Sequence, residues 1–96
     1  MPGQLNLQFP SPDNLLVVLA GSWLLTDRRP APDEITRQLQ SRRNLHNISF
    51  DSTAVTQWDS GLLVFLARVY QLASEHKINI DPDGLPDGAR RMMNLA

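Results

Sequence analysis

Ninety-six residues, 42% of them hydrophobic, suffice for one small domain with a single core and leave no room for a second. A formal net charge of −1 and an isoelectric point near 6.0 give no support to a general polyanion-binding surface. The lack of cysteine excludes a disulfide framework, a thiol nucleophile and a thiolate metal site.

Met1-Pro2-Gly3-Gln4 carries neither a basic segment nor a long apolar run, so no signal peptide is read there. No stretch approaches the roughly 18 to 20 apolar residues of a membrane span, and the chain as given is expected to be soluble. Residues 4–9 alternate, with Leu5, Leu7 and Phe9 on one side, as a half-buried or edge strand does. Pro10-Ser11-Pro12-Asp13-Asn14 breaks that strand with a turn. Residues 15–20 form a continuous apolar run, short enough for a strand buried on both faces, which Gly21 is expected to stop. The tight connection predicts an antiparallel pair. Beyond it, residues 27–32 read as a loop. Pro32 suits the first position of a helix, and Asp33 and Glu34 put negative charge where the helix dipole favours it. Ile35 and Leu39 share a face, so a short amphipathic helix is predicted over 32–43, with Arg42-Arg43 at its C-terminal end.

Residues 47–51 read as a short strand with Ile48 and Phe50 on one face, and 52–57 as a loop. Trp58-Asp59-Ser60-Gly61 then runs directly into the most apolar helical stretch of the chain. Asp and Ser oxygens accept hydrogen bonds from the unpaired N–H groups of a first helical turn, so a helix is placed over 60–76 with Asp59 or Ser60 at its start. At roughly 100° per residue, Leu62, Phe65, Leu66, Val69, Leu72 and Ala73 share an arc that should face the core. The opposite arc holds Ser60, Leu63, Val64, Ala67, Gln71, Ser74 and Glu75. Its first two turns are apolar where a solvated face is normally polar, which points to a second packing partner outside the domain. Ile78-Asn79-Ile80 is a further short strand, Asp81-Pro82-Asp83-Gly84 a turn, and a last helix starts at Pro86 or Asp87 and runs through Ala89, Met92, Met93 and Leu95. This order predicts an α/β fold with parallel pairs in a mixed sheet and right-handed crossovers.

Catalysis needs converging groups, and few are present. His46 and His76 lie far apart with no carboxylate at ligand spacing, and Asp81-Pro82-Asp83-Gly84 lacks the downstream ligands of a calcium loop. Ser60-Gly61 lacks the Gly that a nucleophile elbow places two residues before its Ser, where Trp58 stands. The pairs Arg28-Arg29, Arg42-Arg43 and Arg90-Arg91 have no aromatic residues interleaved as stacking platforms. No enzymatic activity, cofactor, metal or nucleic acid is expected. A phosphate on Ser60 would sit at a helix N-terminus, stabilised by free N–H groups and the dipole, and would place charge beside Leu63, Val64 and Ala67. Asp59 opposes that phosphate by repulsion, and the plainer role of Asp59 and Ser60 is to cap the helix. Trp23 and Trp58 read as core-edge residues, Trp58 being also placed to anchor a partner.

Ser60-Gly61-Leu62-Leu63-Val64-Phe65-Leu66 resembles the Asp-Ser-Ser/Thr-Gly-Leu signature of STAS domains, named after sulfate transporters and anti-sigma-factor antagonists. The residue phosphorylated in those antagonists corresponds to Ser60. The family's Asp two places earlier falls on Trp58, and the acid here is Asp59. A narrower resemblance covers nearly the whole chain. Leu19-Ala20-Gly21-Ser22-Trp23, Phe50-Asp51, Trp58-Asp59-Ser60 with Phe65-Leu66, and Asp83-Gly84-Leu85-Pro86-Asp87-Gly88 ending in Leu95-Ala96 are similar to the N-terminal STAS-like domain of MlaE-type permeases. Those permeases belong to bacterial ABC systems that move phospholipids or related hydrophobic solutes between membranes.

The resemblance implies a STAS-like mixed four- to five-stranded sheet with helices packed on one side. It further implies that residues 1–96 are a single non-enzymatic domain at the N-terminal part of a longer permease. That domain would sit on the cytoplasmic face of the inner membrane and meet the membrane only through a downstream permease segment. Its expected partners are the cognate ABC ATPase subunit and the permease core, bound through Trp58, Asp59, Ser60, Leu63, Val64 and Ala67. The alternative is an anti-sigma-factor antagonist switched by phosphorylation of Ser60, and a small-ligand sensor using a sheet-edge pocket near Trp23 is a third class.

Overall fold

Strands β1 (Gln4–Ser11) and β2 (Asn14–Trp23) meet at a tight turn of Pro12 and Asp13 and pair antiparallel. Helix α1 (Asp33–Ser41) carries the chain to β3 (Asn47–Trp58), which pairs parallel with β2. Helix α2 (Ser60–Glu75) leads to the two-residue β4 (Asn79–Ile80), parallel to β3, and α3 (Asp87–Asn94) comes last. The molecule is thus a small α/β domain with a four-stranded mixed sheet in the order β1-β2-β3-β4 and three helices, in the element order predicted. This computed structural model describes residues 2–95; Met1 and Ala96, which begin and end the motifs quoted above, lie outside the described residues. No helix among the described residues is long and apolar enough to cross a membrane.

All three helices pack on one face of the sheet. Leu15, Val17 and Leu19 of β2 and their neighbours Ile48 and Phe50 on β3 are buried with Ile35 and Leu39 of α1 and Ala89 of α3. The α2 arc of Leu62, Phe65, Leu66, Val69, Leu72 and Ala73 completes this core, as the helical spacing predicts. Leu16, Val18 and Ala20 are only half-buried, so the expectation of a β2 buried on both faces is corrected: β2 alternates, and its second face has no helix over it among the described residues. Trp23 is fully buried at the end of the sheet, edge-on to Phe65 at 4.9 Å between ring centroids, and its indole N–H donates to the Ala20 carbonyl at 2.9 Å. That bond satisfies the one polar atom the ring brings into the core.

Three further expectations need correction. Gly21 does not end β2. It adopts φ 80 at a register shift, a left-handed conformation that suits a bulge, and the strand continues to pair through Ser22↔Gln57 and Trp23↔Trp58. Residues 52–57 are not a loop but the second half of β3, where Thr53, Val55 and Thr56 supply β-branched side chains to an extended chain. Finally, α1 stops at Ser41, leaving Arg42 and Arg43 beyond its last turn. The Arg42 guanidinium instead lies 3.7 Å above the Phe9 ring, a cation–π contact that covers one edge of the core. The remaining boundaries agree with the predicted ones to within one or two residues.

Candidate functional site

The start of α2 is fixed by two groups that reach across the chain. Asp59 is the N-cap, its Oδ1 accepting the N–H of Gly61 at 2.8 Å, and the same oxygen accepts the N–H of Leu25 at 2.8 Å from the loop after β2. From the same loop, Arg29 Nη1 donates to the Gly61 carbonyl at 2.8 Å. Between these bonds the two backbones touch: a Cβ on Gly61 would lie 2.6 Å from both Leu24 C and Leu25 N. Only glycine admits this approach, which explains the residue after Ser60 in terms of packing alone.

The loop is itself braced. Asp27 Oδ2 accepts the N–H of Leu24 at 3.1 Å and the hydroxyl of Ser22, while Ser22 Oγ accepts from Gln57 Nε2 at 3.0 Å. Hydrogen bonding from Ser22, then from the Leu24 N–H, with Arg29 adding positive charge, holds the Asp27 carboxyl below the ordinary 3.8. Ser22 is buried, and these partners satisfy it.

Beside this braced loop the six residues selected from the sequence span the end of β3, the N-cap and the first two turns of α2, with different exposures. Asp59, Ser60, Val64 and Ala67 are exposed. Leu63 is half-buried and packs on the core, so it stands at the border of the outward face rather than on it. Trp58 is also half-buried and turns toward α3, its ring edge packed against Gly88. The Ser60 hydroxyl, exposed at the first position of α2, has no hydrogen-bond partner among the described residues. Val64 is 59% exposed and, with Phe65, Arg68 and residues 29–32, lines a cleft of about 430 Å³.

Sequence reading passed over Leu25, which is 52% exposed and carried next to Gly61 by the Asp59 bond. The pattern Ser-Trp-Leu-Leu-Thr holds no local signal that its second leucine faces water. Arg29 was likewise read only as part of a basic pair, because its partner is 32 residues away.

Compared with known proteins, the chain matches no family model and none of the curated proteins. The start of α2 presents apolar side chains to the surface, Val64 on the helix and Leu25 on the loop beside it. Among the described residues no group of three or more His, Asp or Glu side chains could hold a metal ion. Asp81-Pro82-Asp83-Gly84 is a turn closed by Asp81 Oδ1 accepting the Asp83 N–H at 3.1 Å, and Gly84 O receives the Ser52 N–H at 3.2 Å beside β3. Near Trp23, a cleft of about 710 Å³ is lined by Gly3, Asn6, Val18, Ala20 and Arg28. Gly3 lies against the Trp23 ring, but the ring itself does not reach that cleft.

Proposed function

We propose that this chain is a STAS-like, non-enzymatic regulatory or assembly domain of a bacterial ABC-type lipid-transport permease, acting at the cytoplasmic face of the inner membrane. It docks on the cognate ATPase or the permease core through the start of α2. One observation carries this reading: Val64 and Leu25, two large apolar side chains more than half exposed, flank a helix start whose backbone is held by Asp59 and Arg29. Gly61 and Val64 lie three residues apart on one helix face, and Leu25 abuts Gly61, so the two side chains share a side of the molecule. Fully burying such a side chain contributes about 1.5–3 kcal/mol, enough to bias one assembly state of a transporter without any ligand chemistry. The resemblance of Trp58-Asp59-Ser60 and the flanking motifs to MlaE-type permeases supports the choice of partner.

The test is co-purification of the ATPase with the complete gene product. V64E and A67E, both at exposed positions, are expected to lose the ATPase while the domain keeps its circular-dichroism melting curve. Full retention of the ATPase by both variants would refute the docking surface.

The second reading, an anti-sigma-factor antagonist, draws on Ser60: it is exposed at the first position of α2 and its hydroxyl is unengaged among the described residues. Incorporation of phosphate at Ser60 by a kinase encoded beside this gene, lost in S60A, would favour it over the transporter reading.

A further inference from the structure

Strand β1 forms one edge of the sheet, and among the described residues no backbone group of residues 4–9 bonds to anything except β2. Soluble proteins usually blunt such an edge with charge, a bulge or a covering element. The opposite side of this sheet is treated that way: β4 is only two residues long, and beyond it the Ser52 N–H of β3 is taken up by Gly84 O. Residues 4–9 of β1 contain no charged side chain, and their register with β2 is unbroken from Gln4 to Gln8; the shift between Gln8 and Ser11, at Pro10, limits the open stretch of this edge to those residues. Leu5 and Leu7 oppose the core residues Leu19 and Val17, yet with Phe9, one face of whose ring is covered by Arg42, they remain half-buried beside a groove of about 550 Å³ between β1 and α1.

We propose that two copies of this chain pair through β1, antiparallel, into one continuous eight-stranded sheet. The strand is self-complementary about Leu7. With the two-fold axis there, Leu7 opposes the same residue of the second copy and Leu5 opposes Phe9 on the helix side, while Asn6 opposes Gln8 on the open side. Apolar thus meets apolar and amide meets amide, and a one-residue slip would break every one of these matches. The groove wall fits its own image too: Asp33 and Glu34 beside Arg37 bring both signs of charge to an interface in which each residue meets its symmetry partner's surroundings. The pairing uses neither Leu25 nor α2, so it stands apart from the docking surface above.

Sedimentation equilibrium of the 96-residue chain, from micromolar to millimolar concentration, tests the pairing. The wild-type chain is expected to reach twice its 10.8 kDa mass. Asn6 and Gln8 are exposed, so N6K/Q8K and N6E/Q8E leave the monomer intact while setting like charges opposite each other at the seam. Each variant alone is expected to stay monomeric, and an equimolar mixture of the two to recover the dimer. A wild-type chain that remains monomeric throughout, dimers that survive in both variants, or a mixture that fails to associate each overturns the proposal.

Discussion

The carboxylate of Asp59 accepts the N–H of Leu25 at 2.8 Å across 34 residues of sequence, with the same oxygen that caps α2 through the N–H of Gly61. One side chain therefore sets both where the helix begins and where the preceding loop lies against it. Asp59→Ala leaves two donors unmatched at once. Loss of a cap costs about 1 kcal/mol and loss of a bond to a charged acceptor about 1.5–3, and access of water to this exposed residue recovers part of the second. Urea denaturation of D59A should show a loss of about 2 kcal/mol, and D59N, which keeps an acceptor oxygen, a smaller one. An unchanged midpoint in D59A would show that the two bonds contribute nothing net.

Gly61 is the steric counterpart of that clamp. Alanine is favoured over glycine by about 1 kcal/mol in a helix, so G61A would be stabilising on an open surface. Here the added methyl carbon meets Leu24 and Leu25 backbone at 2.6 Å and Arg29 Nη1 at 2.8 Å. Separation of helix from loop should outweigh the propensity gain, giving a net loss of about 1–3 kcal/mol in thermal or urea unfolding. A more stable G61A would mean that the loop moves aside freely, and with it the support for Leu25.

The parts of this fold that depend on local periodicity were readable from the chain. The buried arc of α2 follows from a spacing repeated within one element, and Asp59 announces its cap two residues before Gly61. The second half of β3 was not readable, because Thr53, Ala54, Thr56 and Gln57 face water and carry no apolar alternation; what holds them extended is β2, more than thirty residues earlier. The same distance hid Leu25 and Arg29 from the candidate site, whose α2 residues were visible on helical spacing alone. The apparent apolar continuity of residues 15–20 misled in the other direction, since Leu16 and Val18 occupy a face without a helix over it among the described residues.

Leu25 offers a separate check on the docking surface, because it lies outside the helix. Leu25→Asp changes a side chain that is 52% exposed, while its N–H remains available to Asp59. The variant should fold with an unchanged urea midpoint and lose the ATPase as V64E does. Loss of capture in V64E with full capture in L25D would confine the contact to α2.

Asp27 makes the loop sensitive to acid. Donation from the Ser22 hydroxyl, and then from the Leu24 N–H, holds its folded-state carboxyl below 3.8. A group depressed on folding stabilises the native state above its unfolded pKa, and that stabilisation fades as pH falls through the folded value. D27N removes this titration and leaves an acceptor in place. Urea midpoints measured from about pH 6 down to about pH 2 should therefore fall more steeply below 3.8 in the wild type than in D27N. Parallel curves would show that Asp27 titrates alike in folded and unfolded chains.

Tyr70 gives the opposite sign at the alkaline end. Its ring is half-buried on α2, its hydroxyl oxygen is buried without a hydrogen-bond partner among the described residues, and burial pushes its pKa above the ordinary 10.0. Tyr70→Phe keeps the ring and removes an unmatched polar atom, so stability near neutral pH should stay level or rise by up to about 1 kcal/mol. With the folded-state pKa raised, the native state is fully favoured below the unfolded value and loses stability as pH climbs through the folded one. The wild type should therefore weaken above pH 10.0 relative to Y70F in urea titrations at successive pH values. A clear destabilisation of Y70F at neutral pH would instead reveal that the hydroxyl has a partner that supports the fold.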